Sequence, residues 1–223
     1  FNILGEVTLF FSAIYCYQRK VSLLQIEYII KALALPIVSI LTYLFLYTPS
    51  IKDVITGTQS NFETSGGFGP NQVSTVLGLG MFCFFALLVV FSKTKKLQIV
   101  HLILLIVASF RGIVTFSRGG VFTAIAMIAV FIFILYWFAT SRAKNLILVL
   151  SLAAIFIGAG VWSYSVTQTS GMIENRYANK DARGREKEDK LGGREQIADT
   201  ELKMFMEDPV WGIGVGKNKE YRE

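Results

Sequence analysis

Five apolar runs of 17–20 residues follow one another at 32–48, 73–91, 97–116, 121–139 and 146–164, and a shorter one precedes them at 3–17. A helix needs about 20 predominantly apolar residues to cross the hydrocarbon core of a bilayer. The pattern therefore predicts an all-α, polytopic helical membrane protein. Residues 1–164 hold about six spans, the first of them partial, and residues 165–223 form a large outward-facing loop containing short helices. Composition agrees: 53% of the residues are hydrophobic, and the mean hydropathy is +0.51, well above the soluble range. The chain opens on Phe1 and stops in "KEYRE", so it reads as a fragment of a longer single membrane domain. The first run has no basic segment before it and no small-residue cleavage site, which argues against a signal peptide. Cys16 and Cys83 fall inside apolar runs, away from any Cys/His cluster, so neither a disulfide framework nor a zinc site is expected.

The loops orient the chain. Arg19, Lys20 and Lys31 lie in one gap, Lys93, Lys95 and Lys96 in another, and Arg142 and Lys144 in a third. The alternate gaps, 49–72 and 117–120, carry only Lys52 and Arg118 as basic residues. Short-loop Lys/Arg bias places the first set in the cytoplasm, so 49–72, 117–120 and everything after 164 face outward. The same bias accounts for the net charge of +6. No basic patch is left over to argue for nucleic acid; the expected partner is the lipid bilayer.

Against this background two arginines stand out. Arg111 and Arg118 sit in "ASFRGIVTFSRGGVFTAIAMIAVF", residues 108–131. An arginine at the centre of a membrane helix costs about 2.5–3.5 kcal/mol on insertion scales. By the topology above Arg111 lies in the outer third of its span and Arg118 at the outer mouth. They are seven residues apart, two helical turns, and share a face if the helix continues. Ser117 is placed to cap the next helix, and Gly119 and Gly120 permit a tight turn and close backbone approach. A second helix starts on the same side, after "SGGFGPN", with Asn71 as its expected N-cap. Two outward helix N-termini and two arginines make an anion site at the membrane–water boundary, where the resident anion is a lipid phosphate. The plainer account stands beside it: Arg118 snorkels to headgroups at a helix end, and Arg111 pairs with an acid in the missing part of the protein.

The outer tail adds a third element. Residues 174–193 are charged and glycine-containing and read as a solvated or mobile loop. Beyond them Ile197, Ala198, Leu202, Phe205 and Met206 share one broad helical face. Gly193 precedes this helix, Arg194 begins it and Pro209 ends it. "WGIGVGK" is a glycine-rich turn with no preceding strand and the wrong spacing for a dinucleotide fingerprint. Read alone, the segment is an interfacial helix with Trp211 as membrane-surface anchor.

The order of "GPN", then "TFSRGG" between two spans, then "GGRE" and "EDPVWGIGVG" in an outer loop resembles the O-antigen ligase and O-antigen polymerase superfamily, over roughly residues 65–216. The resemblance implies a cofactor-free, metal-independent glycosyltransferase of the bacterial inner membrane, its active site facing the periplasm or cell exterior. Its donor is a glycan on a polyprenyl diphosphate such as undecaprenyl diphosphate. Its acceptor is lipid A core, giving lipopolysaccharide, or another lipid-linked glycan, giving a polysaccharide. Arg118 and Arg194 match the family's arginines and would hold the donor diphosphate as leaving group. Arg111, Ser117, Gly119 and Asn71 are the expected substrate-binding residues around them. Two departures are visible: Ala198 stands where the family often has an aromatic residue, and a histidine that family members carry farther along the outer region is absent, since the chain stops first. An arginine is a poor base, and His101 lies toward the cytoplasmic end of its span, where a structural role suits it. Glu63, Glu207 and Asp208 face outward without distinction, so no base is assigned among them, and the family's histidine, expected beyond residue 223, is the better candidate. Two other classes compete: a transporter for an anionic solute with Arg111 on its path, and a scaffold whose outer loop binds a partner.

Overall fold

The computed structural model describes residues 4–55, 57–187 and 194–209; Gly193, Trp211 and the glycine-rich turn after Pro209 lie outside them. Among the described residues the chain is all-α. It has nine α-helices, no strand, and one isolated bridge between Lys180 and Glu186. The chain forms two compact units, one holding α1 (Leu4–Cys16) and α9 (Arg194–Glu207), the other running from Leu23 to Glu186.

The larger unit contains the membrane helices: α2 (Leu23–Tyr47), α4 (Pro70–Ala86, continued by a π-helical turn to Phe91), α5 (Lys95–Val114), α6 (Arg118–Phe138) and α7 (Ser141–Gln168). All five are long and apolar enough to cross a bilayer. The protein is thus an all-α, multi-pass membrane protein. The short helices α3 (Ile51–Val54) and α8 (Met172–Tyr177) follow α2 and α7.

Several helices outrun their apolar stretches. The second begins at Leu23, because Glu27 and Lys31 meet one turn apart at 2.5 Å and satisfy each other within the helix. The seventh begins at Ser141, its Lys144 ammonium lying 5.1 Å from the centroid of the Tyr136 ring. Residues 174–187 also differ from the bare loop expected there. They begin inside α8 and continue into a tight turn in which the Asp181 amide donates to the Arg185 carbonyl at 2.8 Å.

Helix α4 is the centre of the larger unit. Leu77, Cys83, Phe84 and Ala86 are buried against Ile37, Leu41 and Leu44 of α2, Ala108 of α5 and Ala124 of α6. The α4–α6 approach is set by glycine. A Cβ on Gly120 would lie 2.1 Å from the Ser74 carbonyl oxygen, and one on Gly78 would lie 2.4 Å from the Gly120 oxygen. Only hydrogen fits between backbones this close, the usual device for tight helix contact in membranes. The outer surfaces of α6 and α7 are rich in exposed apolar residues, Phe122, Ile125, Leu152 and Phe156 among them, as lipid-facing helices require.

Candidate functional site

Helix α5 does not continue into α6. Phe116 interrupts it with φ +60°, a left-handed backbone that a bulky residue rarely adopts, while its ring is fully buried. Local bonds hold this corner. The Phe116 amide donates to the Ile113 carbonyl at 3.1 Å. The Thr115 hydroxyl donates to the Gly112 carbonyl at 2.8 Å and accepts from the Ser117 amide at 3.2 Å. A long-range bond completes it: Arg176 Nε of α8 donates to the Phe116 carbonyl at 3.0 Å. The reversal separates the two arginines that a continuous helix would have aligned.

Arg118 is the first residue of α6 and half-buried. Its Nη1 donates to Asn179 Oδ1 at 2.6 Å and to the Arg176 carbonyl at 3.5 Å. These two acceptors are neutral oxygens, and they fix the plane of the guanidinium. Asn179 itself has φ +58°, a conformation asparagine tolerates better than most residues.

Beside Arg118 the beginnings of α4 and α6 are tied together. Ser117 is the N-cap of α6, but its hydroxyl does not cap its own helix; it donates to Asn71 Oδ1 at 2.8 Å. The Ser74 hydroxyl donates to the Ser117 carbonyl at 2.8 Å. Asn71 is not the N-cap expected from the sequence. Gly69 takes that position with Pro70 as the first helical residue, which places the Asn71 side chain where Ser117 reaches it. Gly119 is exposed, with nothing within 4 Å of where a Cβ would stand. Asn71, Ser117, Gly119 and Arg118 thus gather where two helices of membrane length begin side by side. Each helix start carries unsatisfied amides and a positive dipole end.

Arg111 is directed elsewhere. It is buried, and its Nη2 donates to the Leu44 carbonyl at 2.8 Å, in the last turn of α2. A helix C-terminus presents orphan carbonyls and a negative dipole end. A hydrogen bond to a charged group contributes about 1.5–3 kcal/mol, comparable to the insertion cost of the arginine. Among the described residues, helix capping is what the structure provides for this buried charge.

The second turn of α5, at the opposite end from Arg111, carries His101; its Nδ1 lies 2.8 Å from the Ser92 hydroxyl. Among the described residues no three His, Cys, Asp or Glu side chains gather as a metal site would require. Glu63 is exposed in the segment before α4. Arg194 is the first residue of α9, but its side chain lies outside the described residues.

Two groups in and after α8 escaped the sequence reading. Tyr177, packed edge-on against Trp162 and Phe122, has its hydroxyl pushed up to about 12 by burial, although Arg118 and Arg176 pull the other way. The Asp181 carboxyl is held below the ordinary range, chiefly by the Arg185 backbone amide, with the Arg185 side chain and Arg183 amide adding to it. Neither these residues nor Arg176 and Asn179 follow a spacing rule, so no sequence signal marked them.

A family model described as O-antigen ligase matches residues 103–223, more than half of the chain. The chain belongs to the O-antigen ligase family. Its match begins within α5 and takes in Arg111, Ser117, Arg118, Gly119 and Arg194, whereas Asn71 precedes it. Membership makes it a membrane enzyme of O-antigen ligase-type glycan transfer. No curated protein and no solved structure matches this O-antigen ligase family member.

Proposed function

We propose that this family member transfers or polymerises a glycan carried on a polyprenyl diphosphate, and that the reaction takes place where α4 and α6 begin. The observation that carries the reading is Arg118: a half-buried guanidinium at a helix start, oriented by Asn179, next to the Asn71–Ser117 junction. The acceptor hydroxyl oxygen attacks the anomeric carbon of the donor glycan. The bond from that carbon to the diphosphate oxygen breaks, and the diphosphate leaves with the electron pair. The acceptor proton passes to a general base, a role an arginine does not suit. Arg118, and Arg194 on the sequence pattern, hold the diphosphate as its charge grows. A guanidinium fork suits phosphate oxygens, and a preset donor of this kind lowers the barrier at the moment of bond breaking. Asn71, Ser117 and the open backbone at Gly119 line the approach. Guanidinium charge takes the place of a metal in this scheme. The acceptor is lipid A core or a second lipid-linked glycan, and the site faces the periplasm or cell exterior from the bacterial inner membrane.

The experiment is reconstitution of the purified full-length protein with a polyprenyl-diphosphate oligosaccharide, excess chelator, and either acceptor. The reading predicts a longer or core-linked glycan together with released polyprenyl diphosphate. No product with either acceptor, or product lost on chelation and restored by a divalent cation, contradicts it.

A further inference from the structure

Arg111 uses only part of its guanidinium. Its Nη2 is bonded to Leu44, but Nη1 is buried and has no hydrogen-bond partner among the described residues. Arginine stays protonated in proteins, so this is a charged donor left unmet, an arrangement that is costly to bury. The side chain is 9% exposed and lines a cavity of about 710 Å³ between the end of α2, the Thr48–Ile51 segment, α5 and α7. Otherwise the cavity wall is mainly apolar, with Phe45, Ile106, Phe110 and Ile157 among its residues. None of Asn71, Ser117, Arg118 and Asn179 belongs to it.

We propose that this cavity binds the anionic headgroup of a bilayer phospholipid, with a phosphate oxygen on Arg111 Nη1 and the upper acyl chain along the apolar wall. Three observations converge on that occupant. The first is charge: one unmet cationic donor calls for one anionic acceptor. The second is the wall, whose apolar side chains suit a chain and not a hydrated ion. The third is depth. Arg111 precedes the end of α5 by three residues, about 4.5 Å at the helical rise, in a helix of bilayer length. That puts its Cα just inside the hydrocarbon edge, within reach of lipid phosphates for a side chain as long as arginine's. The volume lies in the range of small-ligand pockets, about 300–1,000 Å³. The exposed apolar surface of α7, which contributes Ile157, Gly160 and Tyr164 to the wall, gives access from the lipid phase. This inference does not rest on the glycan-transfer reading.

The test is native mass spectrometry of the full-length protein equilibrated in micelles with phosphatidylglycerol or phosphatidylcholine. Phosphatidylglycerol should be retained at least tenfold more strongly, and Arg111→Gln should abolish the difference. Because Arg111→Gln also removes the cap on α2, a second variant is needed. Gly160 lines the cavity and has nothing within 4 Å of a Cβ position, so Gly160→Leu fills the space and leaves the Arg111–Leu44 bond in place. It should lower phosphatidylglycerol retention at least tenfold with little change in Tm. Equal retention of the two lipids by the parent protein overturns the proposal, as does retention unaffected by Gly160→Leu. Displacement of bound phosphatidylglycerol by millimolar inorganic phosphate makes the site a soluble-anion site and also overturns it.

Discussion

Arg176 donates from Nε to the Phe116 carbonyl across 3.0 Å, and so pins a left-handed, fully buried corner from a helix 60 positions away in sequence. The corner delivers Ser117 and Arg118 to the start of α6, and the Arg176 carbonyl also accepts from Arg118 at 3.5 Å. The residue is therefore a positioning residue. Displacements of about 1 Å can cost a hundredfold in rate. Arg176→Ala should lower kcat by about 10–100-fold with a smaller change in KM for the lipid-linked donor. Arg176→Lys should recover little of the loss, because its ammonium lacks the planar fork. Steady-state kinetics on folded variants checks this. A loss confined to KM contradicts the positioning role.

The two adjacent glycines should behave differently. At Gly120 a Cβ would meet backbone 2.1 Å away, so α4 and α6 must separate, and Gly120→Ala should destabilise by about 1–3 kcal/mol, as overpacking does. Gly119 faces open space, so Gly119→Ala should fold like the parent. Thermal unfolding in detergent compares them. Equal Tm values for the two variants contradict the close crossing.

The Asp181 turn supplies a pH signature. Its carboxylate accepts from the Arg183 and Arg185 amides at 2.8 and 2.9 Å and from Arg185 Nε at 2.9 Å. These contacts depress its pKa below the ordinary value of about 3.9. For a depressed carboxyl the contribution to folding is whole above the unfolded pKa and is lost as pH falls through the folded one. Amide exchange at Arg183 and Arg185, corrected for intrinsic rates, should thus hold steady from neutral pH to about 4 and rise only below it. Asp181→Ala should show the fast exchange at neutral pH. Acceleration already at pH 6 contradicts the assignment.

Topology has its own test. Arg183 is exposed in the turn that follows α8. Arg183→Cys, with Cys16→Ser in the background, should react with an impermeant thiol reagent in intact cells after outer-membrane permeabilisation. Reaction only after disruption of the inner membrane reverses the proposed orientation.

The fold was largely legible because the bilayer imposes one dominant length. Counting apolar residues finds the part of each helix inside hydrocarbon, but not where the helix ends. The Glu27–Lys31 pair extends α2 to Leu23 although the apolar count begins at 32. The site was legible in part. Ser117, Gly120 and Asn71 are found at one junction, as two helix starts on one side imply. The pairing of Arg111 with Arg118 on one face failed for a local reason: a single left-handed residue, Phe116, ends α5 before the second turn is complete. Phenylalanine carries no signal for that conformation; the bond from Arg176 stabilises it. Asn179 and Arg176 were hidden in a stretch whose charge suggests solvent.

The most direct measurement is the rate of glycan transfer by Arg118→Ala, Arg194→Ala and the double variant, with membrane levels matched. Removing one transition-state donor typically costs about 10²–10³ in rate. The account predicts a loss of that order for each single variant, incomplete rescue by Arg118→Lys, and a double variant much less damaged than the product of the singles, as for groups acting on one leaving group. Near-parental transfer by both Arg118→Ala and Arg194→Ala contradicts it, and leaves Arg118 as a headgroup-seeking residue at a helix end.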